Sequence, residues 1–129
     1  MMDHERILSL GLALPGTRVR YPFDPGLPVL FVGSKMFALL GQHGGWPSVN
    51  LKADPEESWL LRRQYPDAVL PGYHMNKKHW NTVLLDGTVP DGEIAAMLEQ
   101  SYALVRRNLP KAERMLIRSL AEQGPEAHP

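Results

Sequence analysis

Short apolar runs separated by polar residues and turn signals dominate the first half of the chain, and this pattern predicts β-strands. Residues 17–21 and 48–53 alternate between polar and apolar positions. Residues 29–32 and 36–40 are almost continuously apolar and flank the pair Gly33-Ser34, which is typical of a tight hairpin. Four consecutive strands with short links predict an antiparallel meander.

Helix signals flank these strands. Asp3 is placed to cap a first helix that ends at Pro15-Gly16. Residues 54–57, with the sequence DPEE, predict a second helix, because an Asp cap, an early proline and first-turn carboxylates all favour a helix start. These acids are explained by capping and need no catalytic or metal-binding role. A long third helix is predicted from a capping-box-like start at residues 88–91, and a further helical piece follows Pro110.

Strands that cluster between helices, rather than alternating with them, indicate an α+β fold. The predicted architecture is an antiparallel sheet of about five strands with helices packed on one face. The length of 129 residues predicts a single domain over residues 1–121 and a flexible tail over residues 122–129.

Composition limits the possible functions. The chain has no cysteine, so it has neither disulfides nor a thiol nucleophile. Its first residues lack the basic start of a secretory signal, and no apolar run approaches the ~20 residues of a membrane span, so we expect a cytoplasmic protein. The 14 Lys and Arg residues balance 14 Asp and Glu residues. Nucleic-acid binding would therefore depend on local basic clusters, which occur at residues 62–80 and 101–118.

The densest group of residues that can both stack and hydrogen-bond lies at residues 71–87, with the sequence PGYHMNKKHWNTVLLDG. A Pro-Gly turn opens it and a predicted strand beginning at Trp80 follows, which places the polar residues on a loop. Lysines there can meet phosphates, asparagine can bond base edges and aromatic rings can stack on unpaired bases. The predicted nucleic-acid-binding residues are Tyr73, His74, Asn76, Lys77, Lys78, His79 and Trp80.

Other interpretations of this loop stay open. Trp80 lies just inside a strand and fits a core aromatic, while Asn76 fits a residue that bonds the loop backbone. An enzyme would use His74 or His79 as a base, but no substrate follows from the sequence. The two histidines are five residues apart, which is not a recognised metal-ligand spacing, so no metal or cofactor is expected. A protein-interaction adaptor would use a groove between the loop and the sheet.

Several motifs resemble, in content and order, those of the MmcQ/YjbR family, over roughly residues 4–115. They are LPGT at 14–17, YPFD at 21–24, GSKMFALL at 33–40, VNLKADPE at 49–56, YP at 65–66, PGYHMNKKHWNTVLLDG at 71–87, SYALV at 101–105 and LPK at 109–111. The resemblance implies a frataxin-like (CyaY-like) two-layer sandwich without an agreed enzymatic activity.

DNA binding has been suggested for this family on structural grounds, so the resemblance favours DNA or another nucleic acid as the partner. A protein partner is the alternative, and the chain is expected to be a monomer or a weak dimer. Frataxin handles iron through an acidic first helix. Here that helix has only Asp3 and Glu5, so the iron function does not transfer.

Overall fold

A six-stranded antiparallel sheet carries four helices in the part of the chain that the computed structural model describes, residues 1–73 and 75–123. The helices are α1 (His4–Leu12), α2 (Pro55–Gln64), α3 (Asp91–Arg107) and α4 (Lys111–Gln123). The strands are β1 (Thr17–Arg20), β2 (Val29–Val32), β3 (Lys35–His43), β4 (Trp46–Lys52), β5 (Val69–Pro71) and β6 (Trp80–Leu84). The predicted α+β class is confirmed.

The strand order is β1-β2-β3-β4-β6-β5, so the first four strands form the predicted meander. The expected count of about five strands was one too few, because β5 has three residues and no alternating pattern of its own. It ends at Pro71, which has no N–H to donate to a neighbouring strand. This is tolerated because β5 pairs only with β6 and forms the edge of the sheet.

One face of the sheet packs against α1 and α3. A Cβ added at Gly11 of α1 would lie 2.4 Å from Leu30, so the absence of a side chain there lets the helix approach the sheet closely. On α3, the ring of Tyr102 meets Phe37 edge-on with centroids 5.5 Å apart. Next to it, the Ser101 hydroxyl donates to the Phe37 carbonyl at 2.6 Å and accepts the N–H of Lys52 at 2.9 Å. The buried core therefore lies between the sheet and these two helices.

Two of the expected helix starts differ in detail from the structure. Asp3 caps α1 as predicted, since its carboxylate accepts the N–H of Arg6 at 2.8 Å. The capping box expected at Thr88 was wrong: α3 begins at Asp91 with Pro90 at the cap position and no side-chain cap bond. Asp54 precedes α2 as predicted, but its side chain makes no cap bond either.

Helix α4 is held against the β2–β3 hairpin. The Glu113 carboxylate accepts both the N–H of Ser34, at 2.6 Å, and its hydroxyl, at 2.9 Å. The buried Ile117 of α4 lies beside Gly16, where a Cβ would come within 2.6 Å of it. The helix extends through Gln123, and the rest of the predicted tail, residues 124–129, lies outside the described residues. None of the helices that are described is long and apolar enough to cross a membrane.

The other face of the sheet, here called the open face, is covered by loops. The register pairs Val29 with Leu39, Leu39 with Asn50 and Asn50 with Thr82, so these side chains share this face. Two loops contribute side chains above it: residues 21–28, between β1 and β2, contribute Phe23 and Leu27, and the segment between β5 and β6 contributes Tyr73 and Met75.

Candidate binding site on the open face

A pocket of about 400 Å³ lies on the open face between these two loops. Its floor is formed by strand residues that include Leu39, Asn50 and Thr82, and its walls are loop residues. The wall residues are Phe23 and Leu27 from the first loop and Tyr73 and Met75 from the second. We call this cavity the open-face pocket. It is a concave, mainly apolar site with a few polar groups at its base, as is typical of ligand sites.

The 72–79 loop, here called the central loop, is fixed by its own backbone. Gly72 donates to the Trp80 carbonyl at 2.8 Å, and Trp80 donates to the Asn76 carbonyl at 2.9 Å. The Asn76 side chain accepts the N–H of Lys78 at 3.0 Å, so this residue secures the loop locally. A Cβ at Gly72 would lie 2.9 Å from the Trp80 carbonyl oxygen, and this close backbone approach requires glycine.

Arg62 of α2 ties the central loop to the body of the protein. Its Nε donates to the Asn81 side-chain oxygen at 2.7 Å, and its Nη2 donates to the carbonyls of Trp80, at 3.1 Å, and of Lys77. Asn81 is 2% exposed, so its amide depends on this contact. Sequence reasoning counted Arg62 as one charge in a basic cluster. Nothing local indicates its partner, which lies 19 residues further along the chain.

Tyr73 joins the central loop to the floor of the open-face pocket. Its N–H donates to the Thr82 hydroxyl at 3.0 Å, and that hydroxyl donates to the Asn50 side-chain oxygen. The Tyr73 ring meets the ring of His43 edge-on, with centroids 5.3 Å apart. The pocket therefore has two aromatic rings at one side. The NH₂ group of Asn50 has no partner among the described residues and is available to a ligand.

The predicted site residues differ in how exposed they are. Tyr73 is 55% exposed and lines the pocket, and Lys77 and Lys78 are exposed with no side-chain partner among the described residues. Trp80 is 9% exposed, so little of its surface is open to a stacking base. It lies two positions from Thr82 on β6 and therefore on the open-face side of the sheet. His79 is half-buried and does not line the pocket. His74 lies outside the described residues.

The titratable side chains in the described lining of the open-face pocket are those of His43 and Tyr73. No Asp, Glu, Lys or Arg side chain is among its described lining residues. The displaced pKa values belong to groups elsewhere. Burial raises the pKa of Tyr102 on α3, and a hydrogen bond to Glu93 raises that of Tyr65. In residues 1–73 and 75–123, no three His, Asp or Glu side chains converge as metal ligands would.

Comparison with known proteins places this architecture in a family. The family model described as YjbR matches residues 12–104. The uncharacterized protein YjbR of Escherichia coli K12 is 35% identical over 116 residues, which cover 90% of this chain and 98% of that protein. The uncharacterized protein YbdF of Escherichia coli O157:H7 is 36% identical and is covered over 93% of its length, against 89% of this chain.

A crystal structure agrees with the sequence match. The Deinococcus radiodurans protein DR2400 superimposes with a TM-score of 0.83 at 38% identity, covering 91% of this chain and 88% of that one. Similarity in sequence and in structure thus extends over almost the whole chain. The protein belongs to the YjbR family.

Proposed function

We propose that the protein is a non-catalytic nucleic-acid-binding module of the cytoplasm, acting as a monomer or weak dimer. In this proposal an unpaired base occupies the open-face pocket and the neighbouring phosphates meet Lys77 and Lys78. The observation that carries it is the arrangement of the central loop. Tyr73 lines the pocket, and Lys77 and Lys78 are exposed without a side-chain partner among the described residues.

The pocket has the features that an unpaired base requires. An aromatic ring offers a surface on which a base of any sequence can stack, and Tyr73 with His43 forms such a wall. The free NH₂ of Asn50 can donate to an acceptor on the base edge. The volume of about 400 Å³ lies within the usual range for small ligands.

Positive charge also lies on the far edge of the open face. Arg18 and Arg20 of β1 pair with Phe31 and Val29, so both arginines are on the open face, and both are exposed. Four strand spacings of ~4.8 Å separate β1 from β6, a distance of roughly 19 Å. Single-stranded nucleic acid that extends from the central loop across the pocket would meet these arginines next.

The test is fluorescence anisotropy of labelled single- and double-stranded DNA at two salt concentrations. We expect the wild type to prefer the single strand and to bind more weakly at high salt. The double variant K77A/K78A should bind more weakly and lower the salt slope for the single strand by about 1.4, because each phosphate contact contributes about 0.7 there. The matched control R107A/K111A removes the same charge from α3 and α4 and should keep the slope.

Two results would overturn the nucleic-acid proposal. One is the absence of binding at low salt. The other is an equal loss in K77A/K78A and R107A/K111A, which would mean that net charge rather than the central loop governs binding. Y73A adds a test of the pocket itself, since it removes the stacking ring without changing charge and should weaken binding at both salt concentrations.

A protein partner is the second candidate, and the apolar rim of the pocket favours it. Phe23 is 63% exposed and Leu27 38% exposed, so the first loop offers apolar surface to an inserted side chain. Peptides selected from a library for binding to the wild type should lose affinity for F23A and change little with salt. Peptides whose binding requires Lys77 and Lys78 instead would count against an apolar adaptor.

A further inference from the structure

A cluster of five cationic side chains surrounds a depression at the junction of α3 and α4. The depression measures about 320 Å³, and its only described lining residue besides the cations is Met115. The cations, here called the junction cluster, are Arg106, Arg107, Lys111, Arg114 and Arg118. None of these residues lines the open-face pocket, so the cluster is a separate surface.

Nearby acids neutralise little of this charge. Glu113 is the closest acid in sequence, but its carboxylate is used by the N–H and hydroxyl of Ser34. Glu122 pairs with Arg118 at 3.2 Å on a fully solvated surface. Four members of the cluster have no acidic partner among the described residues: Arg106, which donates to the Tyr102 hydroxyl instead, Arg107, Lys111 and Arg114.

The fold gains little from this arrangement. Arg106 and Arg107 lie in the last turn of α3, where cations complement the helix dipole. Lys111 and Arg114 lie at the start of α4, where cations are disfavoured. Along α4, cations three and four residues apart face one another and repel. The helix dipole therefore accounts for Arg106 and Arg107, whereas the structure gives no stabilising reason for placing Lys111 and Arg114 beside them.

The cluster is also held in place without a ligand. Glu113 fixes the first turn of α4 to the hairpin turn, and the buried Leu109 lies against Gly33. The Lys35 ammonium donates to the Asn108 carbonyl at 3.1 Å between the two helices. The backbone that carries the five cations is thus anchored to the sheet. A preorganised cationic site binds anions better than a mobile one, because less freedom is lost on binding.

We propose that the junction cluster binds a compact polyanion with two or more linked phosphate groups, of the inorganic triphosphate class. A single phosphate is too small to reach five cations that extend from the end of α3 to the third turn of α4. Linked phosphates present several oxygens to guanidinium forks, which bind them in pairs. The depression of about 320 Å³ has room for such a group. This inference does not depend on the nucleic-acid proposal.

The experiment is isothermal titration calorimetry with inorganic tripolyphosphate, with sulfate as a control anion at equal ionic strength. We expect saturable one-to-one binding of tripolyphosphate by the wild type. R107A/K111A should raise the Kd by roughly tenfold or more, because hydrogen bonds between charged groups are strong. The matched double variant K52A/R63A, with the same charge change on β4 and α2 and outside both proposed sites, should keep the wild-type Kd.

A second readout separates binding from folding effects. In ¹H–¹⁵N spectra, tripolyphosphate should move the amide signals of residues 106–118 and leave those of the open-face pocket in place. Equal binding of sulfate, an equal loss in both double variants, or signal changes spread over all basic residues would overturn the proposal. So would binding to vesicles of anionic lipid without binding to tripolyphosphate, which would point to a membrane surface instead.

Discussion

We expect the substitution of Arg62 to destabilise the central loop, although Arg62 does not line the open-face pocket. R62A removes the hydrogen bond to the buried Asn81 side chain and the bonds to the carbonyls of Trp80 and Lys77. A buried polar group left without its partner costs about 1–3 kcal/mol. Lys77 is exposed, so its carbonyl can bond to water instead and adds little. We expect a total loss of roughly 2–3 kcal/mol in the free energy of unfolding.

Arg63 supplies a matched control in the same helix. It is exposed, and its guanidinium lies 4.6 Å from the centre of the Trp59 ring, a contact worth about 0.5–1 kcal/mol at an exposed site. Urea denaturation of R62A and R63A compares two variants with the same charge change. Hydrogen exchange at the amides of Gly72 and Trp80 then reports whether the central loop opens more often in R62A.

The reasoning about Arg62 would be refuted by R62A and R63A variants that differ by less than about 0.5 kcal/mol, which is the usual size of a surface substitution. It would also be refuted if R62A lost stability but the loop amides exchanged no faster relative to the rest of the protein. In that case Arg62 would stabilise the helix–sheet packing in general rather than the loop.

Three further substitutions test a buried hydrogen bond, a close backbone approach and an ion pair. S101A removes a buried hydroxyl that bridges two backbone groups, and should lower the free energy of unfolding by about 1–3 kcal/mol in urea titrations. G72A should destabilise because its Cβ meets backbone at 2.9 Å, whereas the control G92A, with open space in α3, should stabilise by about 0.4–1 kcal/mol. A hydrogen bond from Arg6 lowers the pKa of Asp91 in the folded protein. The ionised carboxylate therefore stabilises the fold at pH values above its pKa in the unfolded chain. This contribution is lost as the pH falls through the lower pKa of the folded state. Urea titrations should therefore show D91N to be less stable than the wild type at neutral pH, with the difference shrinking as the pH falls below the unfolded pKa of Asp91.

The local parts of the fold could be predicted from the sequence. The meander follows from alternation and from the turn at Gly33, whose φ of 56° is one that glycine adopts readily. The helix at residue 55 follows from its Asp-Pro start. Strand β5 could not be predicted, because its three residues form a strand only through pairing with β6.

The candidate site could be predicted only in part, because exposure is a tertiary property. The sequence indicated the central loop, and Tyr73 of this loop lines a pocket. The sequence does not indicate whether Trp80 is exposed or buried, because either environment suits a residue at the start of a strand. The floor at Asn50 and Thr82 went unnoticed for a different reason. These are ordinary polar positions of two strands, and they line a pocket only because side chains from two loops that are distant in sequence lie above them.

In the proposed function, the open-face pocket and the central loop together hold a single strand of nucleic acid. A ¹H–¹⁵N titration of the full chain with a short single-stranded oligonucleotide at low salt tests this directly. We expect the signals of Tyr73, Lys77, Lys78 and the Asn50 side-chain amide to move together and to saturate. Signals that stay in place at Tyr73 and Asn50, or that move only at the junction cluster, would contradict it.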